Sequence, residues 1–349
     1  MSGSNYSIAI TDASIVQNNR LQAGGFTPFV CGDISKRIDP KQIMPEAKSV
    51  IVVGVPYGSA SFYSNLSSLG VCEDYHKRAR DVLKAIATEL NEVLGSFRYK
   101  ILVDGPTLCE RSLAVRAGLG FFGKNGLVIS PEYGTRFNIG VMLTDISLVK
   151  GFFASHSWLG ANCAAQGIRR ETNPIVYTLY SGLSPAASAQ GFRRETNPIA
   201  NAQSARRSGV SFMPFGHPET RSEVEGIMDC PGGCNLCIDA CPNGALREGE
   251  PLDAGLCISY LTQKDNLTSE EENLLHGQLY GCDICQNACP KNKKHESLYI
   301  DPKEILEISD SEITEKYRHT AMNWKIELLK RNALISVNSE LHKSPDFLR

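Results

Sequence analysis

The chain has 349 residues, of which 42% are hydrophobic and 21% charged, with a formal net charge of −2. That length holds two cores, and the near-balance of charge speaks against a general polyanion binder, which presents a basic surface. The opening MSGSNYSIAITDASIV has neither a basic n-region nor an apolar h-region, and the longest strand-like apolar run, Val50–Val55, is far too short to span a bilayer. A cytoplasmic protein without membrane attachment is expected, as a monomer.

In chain order, Ser49–Val55 is rich in β-branched residues, the composition of a strand covered on both faces. Glu73–Leu94 places Val82, Leu83, Ile86, Leu90 and Leu94 at helical spacing, and Gly95 closes the helix. Lys100–Val103 reads as a strand ending at Asp104-Gly105-Pro106, and Phe137–Asp145 as another. Between them lies GLGFFGKNG (Gly118–Gly126), whose glycines suit a sharp turn or close approach to a ligand. It is neither a Walker loop nor a dinucleotide fingerprint, so alone it names no ligand. Residues 1–150 are thus expected to form an α/β (α+β) domain.

Residues 151–225 contain arginine but no lysine, and AQGIRRETNPI (Ala165–Ile175) recurs as AQGFRRETNPI (Ala189–Ile199). Two copies are too few for a solenoid, so the segment reads as a duplicated, exposed and poorly ordered insertion. An arginine-bearing arm against RNA phosphates is the sharper alternative; arginine pairs in polar insertions are mostly just solvated.

Eight of the twelve cysteines then fall within 60 residues. Cys230, Cys234, Cys237 and Cys241 are followed by Pro242, and Cys282, Cys285 and Cys289 by Pro290. The pattern is that of C-x2-C-x2-C-x3-C-P, in which the last cysteine turns away to the other of two iron–sulfur cubes. The first gap here is one residue longer than usual. The second run has Leu279 where its first cysteine would stand, and Cys257 supplies the missing thiolate from upstream. Crossing the fourth ligands predicts Cys230, Cys234, Cys237 and Cys289 around one [4Fe-4S] cluster, and Cys241, Cys257, Cys282 and Cys285 around the other. Zinc favours separated C-x2-C pairs, and disulfides need an oxidising compartment. Cys31, Cys72, Cys109 and Cys163 read as ordinary thiols. A ferredoxin-like double-cluster domain is expected over 226–300 and a short helical tail over 301–349. Within that tail, Asp310–Asn332 has helical periodicity, with Ser309, Asp310 or Ser311 as its cap.

Several segments together resemble the epoxyqueuosine reductase family. They are Val103-Asp104-Gly105-Pro106, Glu110-Arg111, AGLGFFGKNGLVISPEYG (Ala117–Gly134) and GVMLTDI (Gly140–Ile146). CNLCIDACPNGAL (Cys234–Leu246), CISYLTQ (Cys257–Gln263), GCDICQNACPKN (Gly281–Asn292) and Tyr317–Asn332 continue the match. The insertion at 151–225 and an end at Arg349, without the helical repeats some members carry, depart from the pattern.

The resemblance implies a cobalamin-dependent, double [4Fe-4S] enzyme that deoxygenates epoxyqueuosine to queuosine at the tRNA wobble position. It assigns the acid to Asp104, which at the end of a buried strand would be desolvated. It implies cobalamin contacts at Asp104, Lys124, Asn125, Val128, Ile139, Ser259, Gln263 and Lys264. The implied partners are queuosine-family tRNA and an electron donor such as ferredoxin or flavodoxin. A reductive-dehalogenase-like enzyme shares this cofactor logic, and a plain ferredoxin-like carrier shares the clusters. An α/β domain bearing Asp104 speaks against the carrier.

Overall fold

The computed structural model describes residues 6–16, 34–57, 62–105, 107–148, 150–154, 230 and 232–339. Almost the whole duplicated insertion, and Cys31 and Cys163, lie outside these residues. The strands are β1 (Ser7–Asp12), β2 (Ser49–Pro56), β3 (Tyr99–Val103), β4 (Phe121–Phe122), β5 (Val128–Ile129), β6 (Phe137–Thr144) and β7 (Gly151–Ala154). Five of them form one sheet in the order β3-β6-β2-β1-β7, and every neighbouring pair is antiparallel. The last strand, β7, lies just beyond position 150, so the sheet reaches into the segment whose composition marks the insertion.

β2 is buried along nearly its whole length because both faces of the sheet are covered. Alternate side chains face opposite ways on a strand. Ile51, Val53 and Val55 pack with Leu83, Ile86 and Leu90 of the helix Tyr75–Leu94. Val50 and Val52 pack with Leu113, Ala114 and Leu119 on the other side. Each fully buried aliphatic side chain contributes about 1.5–3 kcal/mol, which makes this layered core the most secure part of the chain. Asp74 caps the long helix through the His76 N–H, and Gly95, at φ 83, ends it.

A third core belongs to neither half of the sequence alone. Leu66 is buried with Leu279, Tyr280, Ile300, Ile305, Tyr317, Met322 and Leu329. Asn65, 1% exposed, holds this junction: its side chain donates to Ile300 O at 2.8 Å and its carbonyl accepts from the Leu279 N–H at 2.8 Å. Residues 62–72 therefore pack with 279–333.

The tail is not one helix. It breaks into Asp310–Tyr317, a 3-10 turn Ala321–Lys325 and Ile326–Asn338. Ser309 is the cap, in a reciprocal capping box with Glu312. The break occurs where the His319 carbonyl accepts the Asp74 N–H at 2.7 Å and Thr320 pairs with Glu73. Tertiary bonds to the long helix take the backbone groups that a continuous helix would use. No helix among the described residues is long and apolar enough to cross a membrane.

Candidate active site

The cysteines sit on short turns and four-residue helices rather than on regular structure. Cys237 lies in Leu236–Asp239, Cys285 in Ile284–Asn287, and Cys257 is the residue before Ile258–Leu261. A small cavity is lined by Cys230, Cys234, Cys237 and Cys289 together with Pro290, Lys291, Lys124, Asn125 and Ile129. Three thiols thus come from the first run and one from the far end of the second.

The remaining four thiols form a second neighbourhood. Burial first, with Asp283, Cys257 and Cys241 adding, pushes the Cys282 thiol up to about 12. Burial and then the neighbours Cys282 and Cys257 raise Cys285, and burial with Cys241 raises Cys257. The ten described cysteines form no disulfide. Among the described residues no three His, Cys, Asp or Glu side chains converge tightly enough to chelate a single ion. Two four-thiol sets spread around a space suit a cubane, whose irons each take one thiolate, better than a lone zinc.

Leu279, where the missing cysteine would stand, is fully buried, and its carbonyl accepts from Asn332 Nδ2 at 2.8 Å. Asn332 also donates to Thr262 O at 2.9 Å, while Arg331 binds the carbonyls of Lys264 and Asp265. These residues of the tail hold the segment between Cys257 and Cys282; their cationic and amide groups are spent on backbone.

The cluster segment is tied to the sheet by buried polar contacts. Asp283, between Cys282 and Cys285, accepts from the Ser68 N–H at 2.8 Å, the Ser68 hydroxyl at 2.5 Å and Gln286 at 2.9 Å. Burial pushes its carboxyl upward. Arg136 donates to Asn287 Oδ1 at 2.7 Å and Lys293 O at 2.9 Å and stacks 4.6 Å from the Phe62 ring centroid. Lys124 reaches Asn235 and Glu248, each at 2.6 Å. Gly281 takes φ 64, and a Cβ there would lie 2.2 Å from Ser67 Oγ, so only glycine allows this approach.

Asp104 ends β3 in the left-handed region at φ 51, a conformation Asp tolerates better than most residues. Glu110 accepts its N–H at 3.0 Å and that of Gly105 at 3.1 Å. Tyr75 donates its hydroxyl to the Asp104 carboxylate, and His76 Nε2 stands 3.9 Å from the same oxygen. The expectation of a desolvated Asp104 fails: β3 is an edge strand, and the Asp104 side chain is 68% exposed. The buried acid is Glu110, pushed up to about 7 mainly by burial. Burial and the adjacent Asp104 raise Tyr75, which also feels Tyr280 of the cluster segment.

The other residues named from resemblance do not gather at one wall. Val128 is buried in the second core, and Ile139 packs partly buried against it. Asn125 lies in the thiol-lined cavity. Gln263 folds back onto Ser259 O at 2.8 Å and meets the Tyr280 hydroxyl at 3.3 Å, and Lys264 is paired with Glu271 at 2.6 Å. The sequence reading missed Tyr75 and Asp283 and gave Glu110 no role. Periodicity marks a Tyr at a helix start as ordinary, and only the fold brings it to Asp104.

The family model described as "Epoxyqueuosine reductase QueG, DUF1730" matches residues 37–105, and that of the 4Fe-4S double cluster binding domain matches 230–292. An epoxyqueuosine reductase from Bacillus cereus is 29% identical over 329 residues, covering 87% of this chain and 67% of that protein. Its Bacillus subtilis counterpart is 28% identical, covering 94% of this chain and 72% of the relative. Over most of its length the chain is similar to epoxyqueuosine reductases. A crystal structure of an epoxyqueuosine reductase with an epoxyqueuosine-modified tRNA stem loop superposes with a TM-score of 0.63 at 25% identity, over 95% of this chain and 76% of that one. Epoxyqueuosine reductases use two [4Fe-4S] clusters and cobalamin, and the two thiol sets here have the number and chemistry that the clusters require. For cobalamin, the fit is an exposed carboxylate at Asp104, held by Tyr75, and the Tyr280–Gln263 pair of the cluster segment.

Proposed function

We propose that this chain reduces epoxyqueuosine in tRNA to queuosine. The reaction takes up two electrons and two protons, releases the epoxide oxygen as water and leaves an alkene. The observation that carries this reading is the exposed Asp104 carboxylate, oriented by Tyr75 and by the Glu110 grip on its backbone, on a sheet locked to two four-cysteine sets.

In this reading Cys230, Cys234, Cys237 and Cys289 hold one cluster and Cys241, Cys257, Cys282 and Cys285 the other, within a ferredoxin-like double-cluster region followed by the helical tail. Asp104, Gln263 and the backbone near Lys264 contact cobalamin, beside the sheet domain. The bound cofactors supply single electrons and a low-potential metal centre for breaking the C–O bond. Asp104 delivers a proton to the oxygen that the opening epoxide leaves behind. Tyr75, donating to Asp104, holds the carboxylate at one angle. Glu110 acts through the backbone and positions Asp104; it touches no reacting atom. A cytoplasmic enzyme drawing electrons from a ferredoxin or flavodoxin completes the proposal.

The test is anaerobic reconstitution with iron, sulfide and cobalamin, followed by incubation with epoxyqueuosine-bearing tRNA and a strong reductant. Queuosine in the digested tRNA is expected. Corrinoid retained without conversion would remove the substrate assignment, and protein that retains no corrinoid would remove the mechanism.

A further inference from the structure

The strands β4 and β5 form a hairpin whose tip, Gly123–Leu127, enters the thiol-lined cavity through Lys124 and Asn125. The turn is tight: the Gly123 N–H donates to Leu127 O at 2.8 Å, and Gly126 takes φ 76. A Cβ on Gly123 would lie 2.7 Å from Asn125 Oδ1, so the glycine leaves room for the Asn125 side chain to fold back.

Asn125 is 5% exposed, and its Oδ1 accepts the Leu127 N–H at 3.2 Å. A backbone N–H needs an acceptor, so this bond fixes Oδ1 as the amide atom facing the Leu127 N–H and leaves Nδ2 as the atom free to donate. Nδ2 is buried and has no hydrogen-bond partner among the described residues. Buried amide nitrogens are almost always paired, so an orphan at a functional site points to a partner that binds there. The cavity wall beside it is made by Cys230, Cys234, Cys237, Cys289, Pro290 and Ile129, with Lys291. Apart from Lys291, that lining offers sulfur and hydrocarbon, too few polar groups to hold a water in place. The lining also holds two lysines, Lys124, already engaged by Asn235 and Glu248, and Lys291; an ammonium has no acceptor, so neither pairs with Nδ2.

We infer that Asn125 Nδ2 donates a hydrogen bond to a sulfur of the cluster held by Cys230, Cys234, Cys237 and Cys289 and thereby raises that cluster's reduction potential. The inference rests on the proposed ligand set for that cluster. The reduced cluster carries one more negative charge than the oxidised one, so the positive end of an N–H dipole stabilises it more. Asn125 is then a positioning and tuning residue of the electron relay, not a contact of the substrate.

The test uses reconstituted holoenzyme with Asn125→Leu and Asn125→Asp, followed by potentiometric titration monitored by EPR. Leu removes the donor without adding charge; Asp keeps the acceptor for Leu127 and removes the donor. One cluster should become harder to reduce in both variants, by about tenfold in its one-electron equilibrium, or about 59 mV. The second cluster, unchanged, is the internal reference. An unshifted potential in Asn125→Leu at full iron content overturns the inference. If the Leu variant does not assemble, an unshifted Asn125→Asp does the same. Selective loss of a cluster in both would make Asn125 a structural support and also overturn it. A Cys237→Ala protein with undiminished iron would instead show the ligand set itself to be wrong.

Discussion

The antiparallel sheet and the cluster segment are built by opposite means. The sheet buries aliphatic side chains on both faces, with Ile51, Val53, Leu83 and Leu90 fully enclosed, and needs nothing from outside the chain. The cluster segment has helices of only four residues around its thiols, and buried polar contacts such as Asp283–Ser68 and Thr135–Gln286 fix it to the rest. Metal coordination is folding energy for such a segment, whereas it is incidental to the sheet. An electron relay thus gains its rigidity partly from its cargo, and the carboxylate proposed as the acid, Asp104, is placed at the rim of the part that is rigid without it.

That contrast can be broken most sharply at Asp104. Asp104→Asn should keep both clusters and cobalamin and lose on the order of 100-fold or more in single-turnover rate, the scale of general acid catalysis. A near wild-type rate would take the proton transfer away from the rim of the sheet. Next, Cys257→Ala should cost the protein one cluster, read as halved iron and sulfide, while circular dichroism of the sheet is retained. Undiminished iron would overturn the crossed ligand partition. Asp283→Ala strands the Ser68 N–H and hydroxyl and should cost about 2–4 kcal/mol in chemical denaturation, because buried unpaired donors are expensive. A change within error would mean that the two regions are not joined there.

The smallest effect concerns pH. Glu110 ordinarily titrates near 4.5 and in the fold near 7, so between those values the folded chain holds one proton more than the unfolded. Its contribution to stability therefore falls as pH rises through that window and is constant above it. Glu110→Gln removes the titration. The wild type's melting temperature relative to the variant's should decline from pH 5 to pH 7. A difference independent of pH would place the burial elsewhere.

Much of the candidate site was legible because its chemistry is local. Cysteine spacing singles out eight thiols and the gap at Leu279, and one cavity is lined by four of them drawn from both runs. Asp104 at a strand end was equally readable, whereas its exposure was not. Strand position in a sheet is decided by pairing far along the chain, and β3 turned out to be an edge. The tail's periodicity predicts one helix, yet hydrogen bonding between Asp74 and His319 divides it.

The sequence by itself determined the eight clustered thiols, the gap at Leu279 and the two-faced burial of β2, since each is written in spacing or composition within a short window. Only the tertiary structure decided that Tyr75 and Glu110 hold Asp104, that Asn65 and Leu66 pack with the tail, and that Asn125 brings an unpaired amide nitrogen to a cavity lined by four cysteines. Those contacts join residues whose types are unremarkable in their own neighbourhoods. Burial and hydrogen-bond satisfaction act across the folded volume, so a short window of sequence does not contain them.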